Sequence, residues 1–460
     1  MAQNLRKVGL SDVTFKTMDG QLSNQSIASS ENVSAILIDT SKMPDLFTSG
    51  YGLENATKLN IGDVVHIDQY RKAMDEYGIK PRVELAEGES ETEVNFMYGI
   101  PDLLIKQFFD VRGGEFANGD LYVMFADCSK NWDAIEVLQN ATGGTAYQIA
   151  IYTEQNLFGK ELDPEGNYTL RLVKPIQDRA KQLEVQHQPA VILLHANTAT
   201  LEGDTEGAGK VNLALMPNLL SAGNLVHVNI GQANSKKVNS IQLANPRHST
   251  VGTVGSALGA LTVVNVGSSI AWVEKINLYD NDFMRVELGF GDTNLSADGK
   301  FISTNALESV QVSVIDGIVK KGYNLPIKYA GKPLGVHFSS SGTCSNGDFD
   351  SLEHNRVIQK SRRGIREVLL PKLNSPVMVN RSDGTLPSAT VTSFKNLVVD
   401  GVLAKMVDSG ECSGYDVFID AKQKVIVNGY LEIMYAIVPL GKLGKIIVTE
   451  KLATQTGTNK

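Results

Sequence analysis

A chain of 460 residues with 42% hydrophobic side chains along its whole length can bury one large core or two to four moderate ones, so it is a globular, multi-domain candidate. Its net charge of −8 offers no basic surface of the kind that counterion release at nucleic acid requires, so nucleic-acid binding is not expected. Three cysteines, Cys128, Cys344 and Cys412, are odd in number and far apart, which excludes a disulfide framework and a CxxC metal knuckle and fits synthesis in a reducing cytoplasm.

The first residues, MAQNLRKVGLSDVTF, carry a basic pair with no apolar run behind it, so no secretory signal is expected. Residues 1–25 are polar with short alternating pieces; the segment VGLSDVTFK can pair as an edge strand but has too few apolar residues to fold alone, and reads as an arm. Residues 26–95, with the β-type run SAILID at 34–39 and a helical stretch at 67–77, read as a small β-rich domain.

From 96 to 346 helices and strands alternate. Helices are expected at 101–111, 133–140 and 175–185, and strands at 120–125, 146–152, 190–194 and 225–230; Pro217 allows only a brief or broken helix at 213–220. Repeated helix-to-strand units with fully apolar strands imply an α/β fold with a mostly parallel sheet covered by helices on both faces. The stretch 251–266 is interrupted by Gly252, Gly255, Gly259 and Asn265, so it is expected to be a closely packed small-residue helix and not a membrane span.

The last portion, 347–460, reads as α+β. Helix 352–370 places Val357, Ile358, Ile365, Val368 and Leu369 on an apolar stripe, with Arg356, Lys360, Arg362, Arg363 and Arg366 mostly on the other side. Like charges at i,i+4 repel by about a few tenths of a kcal/mol each, so something acidic is expected to offset that face. A second helix at 391–407, with Phe394, Val398, Val402 and Met406 on one ridge, and two closing strands at 430–438 and 445–452 complete the chain before a polar tail.

Chemistry-bearing motifs are sparse. The three glycines fit neither GxxxxGK[ST] nor GxGxxG, and the seven histidines include no HxH or HExxH, so neither cofactor nor metal is expected. His195 at the end of an apolar strand and the Ser/Gly-rich loop 339–347 allow a Ser/His/Asp hydrolase to be drawn, but no GxSxG elbow supports it.

The run HNRVIQKSRRGIR at 354–366, then LNSP at 373–376, Glu411, LEIMYAIVP at 431–439 and KIIV at 445–448 resembles the C-terminal domain of contractile tail sheath proteins. Upstream, 103–109 with Gly113 and Gly114, then 120–124, 251–271, 308–322 and 335–343 resemble further parts of the same family in consistent order, and the lack of large outer insertions resembles its compact members in simpler phages and tailocins.

The resemblance implies a subtilisin-like middle domain used as scaffold, and a structural subunit instead of an enzyme. Copies would stack as hexameric rings in a helical array around an inner tail tube protein, between baseplate and tail terminator proteins, and contract to drive the tube through a target envelope. Its place would be a virion tail or injection-system sheath assembled in the host bacterial cytoplasm, without nucleic-acid or membrane contact. It further implies strand arms passed between subunits, here Val8, Leu10, Val13 and Phe15 at one end and Ile446, Ile447, Val448 and Leu452 at the other, and a tube-facing basic helix carrying Arg356, Lys360, Arg362, Arg363 and Arg366. The alternatives are an α/β hydrolase-like enzyme and a non-contractile tail or baseplate protein.

Overall fold

The run SAILID is an interior strand of a seven-stranded sheet. In a computed structural model that describes residues 31–43, 59–79, 99–114, 117, 119–198, 201–202, 211, 215–230, 252–278, 315–329 and 335–448, with the backbone of 232–234, 285–287, 293–295, 301–303 and 312–314, this strand is β1 (Ser34–Asp39), buried at every position. The chain continues through β2 (Val64–Ile67), α1 (Tyr70–Asp75), α2 (Gly99–Val111), β3 (Leu121–Ala126), α3 (Ala134–Ala141) and β4 (Gln148–Asn156). A hairpin of β5 (Phe158–Leu162) and β6 (Tyr168–Leu170) precedes α4 (Val173–Val185), β7 (Val191–Asn197), β8 (Val226–Asn229) and α5 (Val254–Val263). Next come α6 (Val312–Lys320), β9 (Tyr323–Asn324) and the short pair β10 (Pro326–Ile327) and β11 (His337–Phe338). The last elements are α7 (Leu352–Leu369), α8 (Ser388–Val398), α9 (Ala404–Asp408), β12 (Gly414–Phe418), α10 (Val425–Asn428) and β13 (Met434–Val438).

The large sheet runs in the order β9-β8-β7-β4-β1-β3-β2. All its pairings are parallel except that of β2 with β3. Strands such as VILLHAN in β7 and QIAIYTEQN in β4 are buried along their whole length. This is what parallel strands with helices on both faces require, because neither face meets water.

The expectation of a separate β-rich layer over 26–95 is corrected for the described residues. SAILID lacks the polar alternation of a half-exposed strand, and it pairs with β3 on one side (Ile36 opposite Val123) and β4 on the other (Ile36 opposite Ala150). Helix α1 is also shorter than the expected 67–77, and Ile67 belongs to β2.

The small-residue helix is α5, and it crosses α2 at very short range. A Cβ added at Gly255 would lie 2.2 Å from the Leu104 carbonyl oxygen, and one at Gly259 would lie 2.6 Å from that of Phe108. Glycine is needed there because backbone meets backbone.

Beyond the sheet, Val357, Ile365, Val398, Val402, Leu403, Met406, Val417 and Ile437 form a second core that also receives Val266. The expected helix 391–407 is interrupted by a π-turn, Val399–Leu403, between α8 and α9. Val398, Val402 and Met406 share this core, whereas Phe394 packs in a third cluster with Leu386 and Val425. The closing strands differ from expectation too. Strand β13 is confined to Met434–Val438 and pairs antiparallel with the upstream β12, Tyr415 opposite Ile437. Residues 445–448 form no strand, and Leu443, Ile446, Ile447 and Val448 are 86%, 75%, 79% and 76% exposed.

Candidate functional site

The basic helix is held against its own chain. Arg356 is buried, and its Nη2 donates to the Leu261 carbonyl at 2.8 Å. Burial lowers its pKa to about 10, against the carboxylates of Glu31, Glu353 and Glu411, which raise it. Lys360, also buried, pairs with Glu411 at 2.5 Å. Arg362 pairs with Glu184 at the end of α4 at 2.6 Å. Arg363 pairs with Glu31, donates to the Pro189 carbonyl at 3.1 Å and sits 4.0 Å above the Tyr147 ring. Arg366 is partly buried on the same helix.

Within the described chain the basic face is thus a seam that docks α7 onto the rest of the fold. The acids that offset it are the chain's own, and Arg356 and Lys360 are turned away from any outside partner. The pairings of Glu31, Glu184 and Glu411 were beyond a sequence reading because these acids lie 332, 178 and 51 positions from their partners, although Glu411 itself stood among the residues of the resemblance. Glu411 is fixed from a third direction: a Cβ at Gly267 would lie 1.9 Å from its carbonyl oxygen, and Asn265 Nδ2 donates to the Ser409 carbonyl at 2.8 Å. Burial raises the Glu411 pKa, which Lys360 opposes.

At the C-terminal ends of the parallel strands, where α/β folds place ligands, the polar groups are engaged with one another. Asp39 accepts from Ser41 N and Oγ at 3.0 and 2.8 Å, Cys128 N at 3.0 Å, Thr153 Oγ1 at 2.6 Å and Gln155 Nε2 at 2.8 Å. His195 is 1% exposed, donates from Nδ1 to the Asn229 carbonyl at 3.1 Å and stacks on Tyr152 with 5.2 Å between ring centroids. In the Ser/Gly-rich loop, Ser341 donates to Glu353 at 2.9 Å and accepts from Ser269 at 2.8 Å. His195 and Ser341 thus have separate partners.

An open cleft of about 610 Å3 near β3 and β4 is lined by Lys130, Trp132, Arg171, Asp178 and Arg179. Two of its cations are paired, Arg171 with Glu202 at 3.4 Å and Arg179 with Asp133. Burial pushes the Cys128 thiol at its edge far above the usual range, which removes the thiolate needed for reactivity. Among the described residues no group of three or more His, Cys, Asp or Glu is placed to hold a metal ion, and no helix is long and apolar enough to cross a membrane.

Of the expected strand arms, Ile446, Ile447 and Val448 are exposed and outside every sheet, while Val8, Leu10, Val13, Phe15 and Leu452 lie outside the described residues. The exposed run has a neighbour of matching kind. Hairpin β12–β13 is only two strands wide, with Phe418 and Met434, a facing pair, 53% and 51% exposed.

No family model matches the chain, and no curated protein matches it. Solved structures do match, and they share the fold of this chain along nearly its whole length. In particular, a chain of the anti-feeding prophage (AFP) baseplate, determined by cryo-EM with 6-fold symmetrisation, has a TM-score of 0.52 at 11% identity over 97% of this chain and 100% of that one. A chain of the sheath complex of an extracellular contractile injection system (PVC), in its contracted state, has a TM-score of 0.50 at 10% identity over 97% and 98%. At such identities the likeness is one of fold.

Proposed function

We propose that this chain is a structural, non-enzymatic subunit of a contractile sheath, polymerising as stacked hexameric rings around an inner tube. The observation that carries the reading is the exposed segment 441–448 beside the two-stranded hairpin β12–β13. Apolar residues exposed by 75–86% in a β-branched run are a strand-prone segment without a sheet, and hairpin β12–β13, packed on the second core, is two strands wide with its outer edges unpaired among the described residues. Passing the strand of one copy to the hairpin of another satisfies both by strand addition. Each ladder bond contributes about 1 kcal/mol net, enough in series to link subunits that still shift against one another. The full-length fold likeness supports the kind of machine, and the mutual pairing of Asp39, His195 and Ser341 with other groups supports a scaffold over a hydrolase.

In this reading the N-terminal arm with Val8, Leu10, Val13 and Phe15 is a second exchanged strand, and tube, baseplate and terminator proteins are the further partners. Contact with the tube is not assigned to α7, whose charges are neutralised within the chain. A second reading, a ring of baseplate type, is favoured by the origin of one structural neighbour.

Negative-stain microscopy of the purified chain tests both. Long striated tubes support the sheath, and single rings support the baseplate reading. Deleting residues 441–460 is expected to leave a folded monomer that forms neither, and tubes formed normally by the truncated chain overturn the strand exchange.

A further inference from the structure

The exposed segment is attached to its own subunit at one point that its strand role does not explain. Four residues past β13, Lys442 Nζ lies 3.0 Å from Glu353 Oε1 and 3.4 Å from Ser341 Oγ. The lysine side chain is 44% exposed, but Glu353 is only 4% exposed and is held in place before the lysine arrives. Ser341 Oγ donates to Glu353 at 2.9 Å, Ser269 Oγ donates to Ser341 at 2.8 Å, and the Ser341 carbonyl accepts from Leu352 N at 2.9 Å. The second oxygen of Glu353 is buried with no hydrogen-bond partner among the described residues, so the site favours a cation. Three parts of the chain, the turn after α5, the loop before α7 and the first turn of α7, thus build a receptor for one lysine.

We propose that Lys442, Glu353 and Ser341 form a fixed root for the C-terminal segment, which aims it at a neighbouring subunit and diverts tension away from the hairpin. The proposal rests on the strand-exchange reading. The geometry favours an anchor over an inhibitory clasp, because the apolar side chains beyond Lys442 are left uncovered and the segment is presented, not hidden. The need for a root follows from topology. The segment leaves directly from the end of β13, so a pull on it falls first on the terminal rung, Val438 opposite Gly414, and then on each next rung in turn. Unzipping one rung at a time opposes little force. With Lys442 seated, the pull is carried instead into α7, whose apolar side chains lie in the second core and whose cations grip the sheet.

The test uses the full-length chain carrying Leu443→Cys with a nitroxide label; Cys128, Cys344 and Cys412 are all buried, so the label goes to the introduced site. In unpolymerised protein the label is expected to show a restricted component that is lost on Lys442→Met, on Glu353→Gln and at high salt. Lys442→Met leaves the buried Glu353 carboxylate without its cation, so its melting temperature is expected to fall; Lys442→Met combined with Glu353→Gln removes both charges, so its melting temperature should approach the parent's while the restricted component stays lost, which separates loss of the root from misfolding. Tubes of Lys442→Met are expected to break into shorter pieces than wild-type tubes under the same shear. An identical spectrum with and without Lys442 overturns the root, and equal tube lengths overturn its mechanical role. Because the spectrum is read on monomers, it is independent of strand exchange: a label freed by Lys442→Met in a protein whose 441–460 deletion still forms tubes keeps the root and removes the exchange.

Discussion

The pair of Lys360 and Glu411 shows how much rests on single charges in the seam. Both are buried and 2.5 Å apart, and a charge stranded by loss of its partner inside a protein costs about 3–5 kcal/mol. Lys360→Met is therefore expected to lower stability by about that amount, whereas Lys360→Met combined with Glu411→Leu costs much less; urea unfolding of the two variants measures the difference. His227 makes a second prediction. Buried, with Nδ1 donating to the Gly342 carbonyl at 2.8 Å, it has its pKa lowered from 6.5 to about 4 because burial disfavours the charged ring. A base with a depressed folded-state pKa contributes stability above its unfolded value and loses it as pH falls through the folded one. Stability is expected to fall by about 3 kcal/mol between pH 6.5 and 4 on this account, and His227→Gln to flatten that slope in pH-dependent melts.

At the scale of elements, the crossing of α2 and α5 is the least forgiving contact. Gly255→Ala pushes a methyl group against the Leu104 carbonyl oxygen, and the helices must separate, for an expected loss of about 3 kcal/mol or more. Gly401→Ala in the π-turn meets only a Val368 methyl group at 3.1 Å and is expected to cost less, a ranking that thermal melts decide. Helices and strands of this kind were legible because their signals are local: SAILID and VILLHAN announce strands buried on both faces, and the Gly252, Gly255 and Gly259 spacing announces a tight helix crossing. What stayed hidden is pairing at a distance. Nothing in residues 26–95 tells that β1 is an interior strand of a sheet built mostly from later residues. The stripe Val398, Val402, Met406 is the same whether or not a π-turn interrupts the helix.

Across the whole molecule, α7 is the joint between the parallel sheet and the C-terminal core, and its basic composition was legible while its direction was not. A helical wheel places Arg363 opposite the apolar stripe and Arg362 at its edge, but they face Glu31 and Glu184 instead of water. Exchanging both arginines for glutamates sets like charges against each other across the joint. The expected result is a loss of several kcal/mol and a lower melting temperature in the isolated chain, before any partner is added. An unchanged melt shows that the joint does not depend on these pairs.

The uncovered run after Gly441 has a cost for the cell that makes the protein. A β-branched stretch with open backbone is a template for sticking to whatever similar chain it meets, in the wrong register as readily as the right one. Two glycines and two lysines, Gly441, Gly444, Lys442 and Lys445, interrupt it on the near side and act as gatekeepers. Subunits made faster than they find their proper neighbours are therefore expected to precipitate, so yield of soluble chain should fall as expression rises. Ile446→Lys with Ile447→Lys is expected to restore solubility in sedimentation assays while removing ordered polymer, which makes the tendency to precipitate and the capacity to assemble two outcomes of one surface, separated only by how soon the right partner arrives.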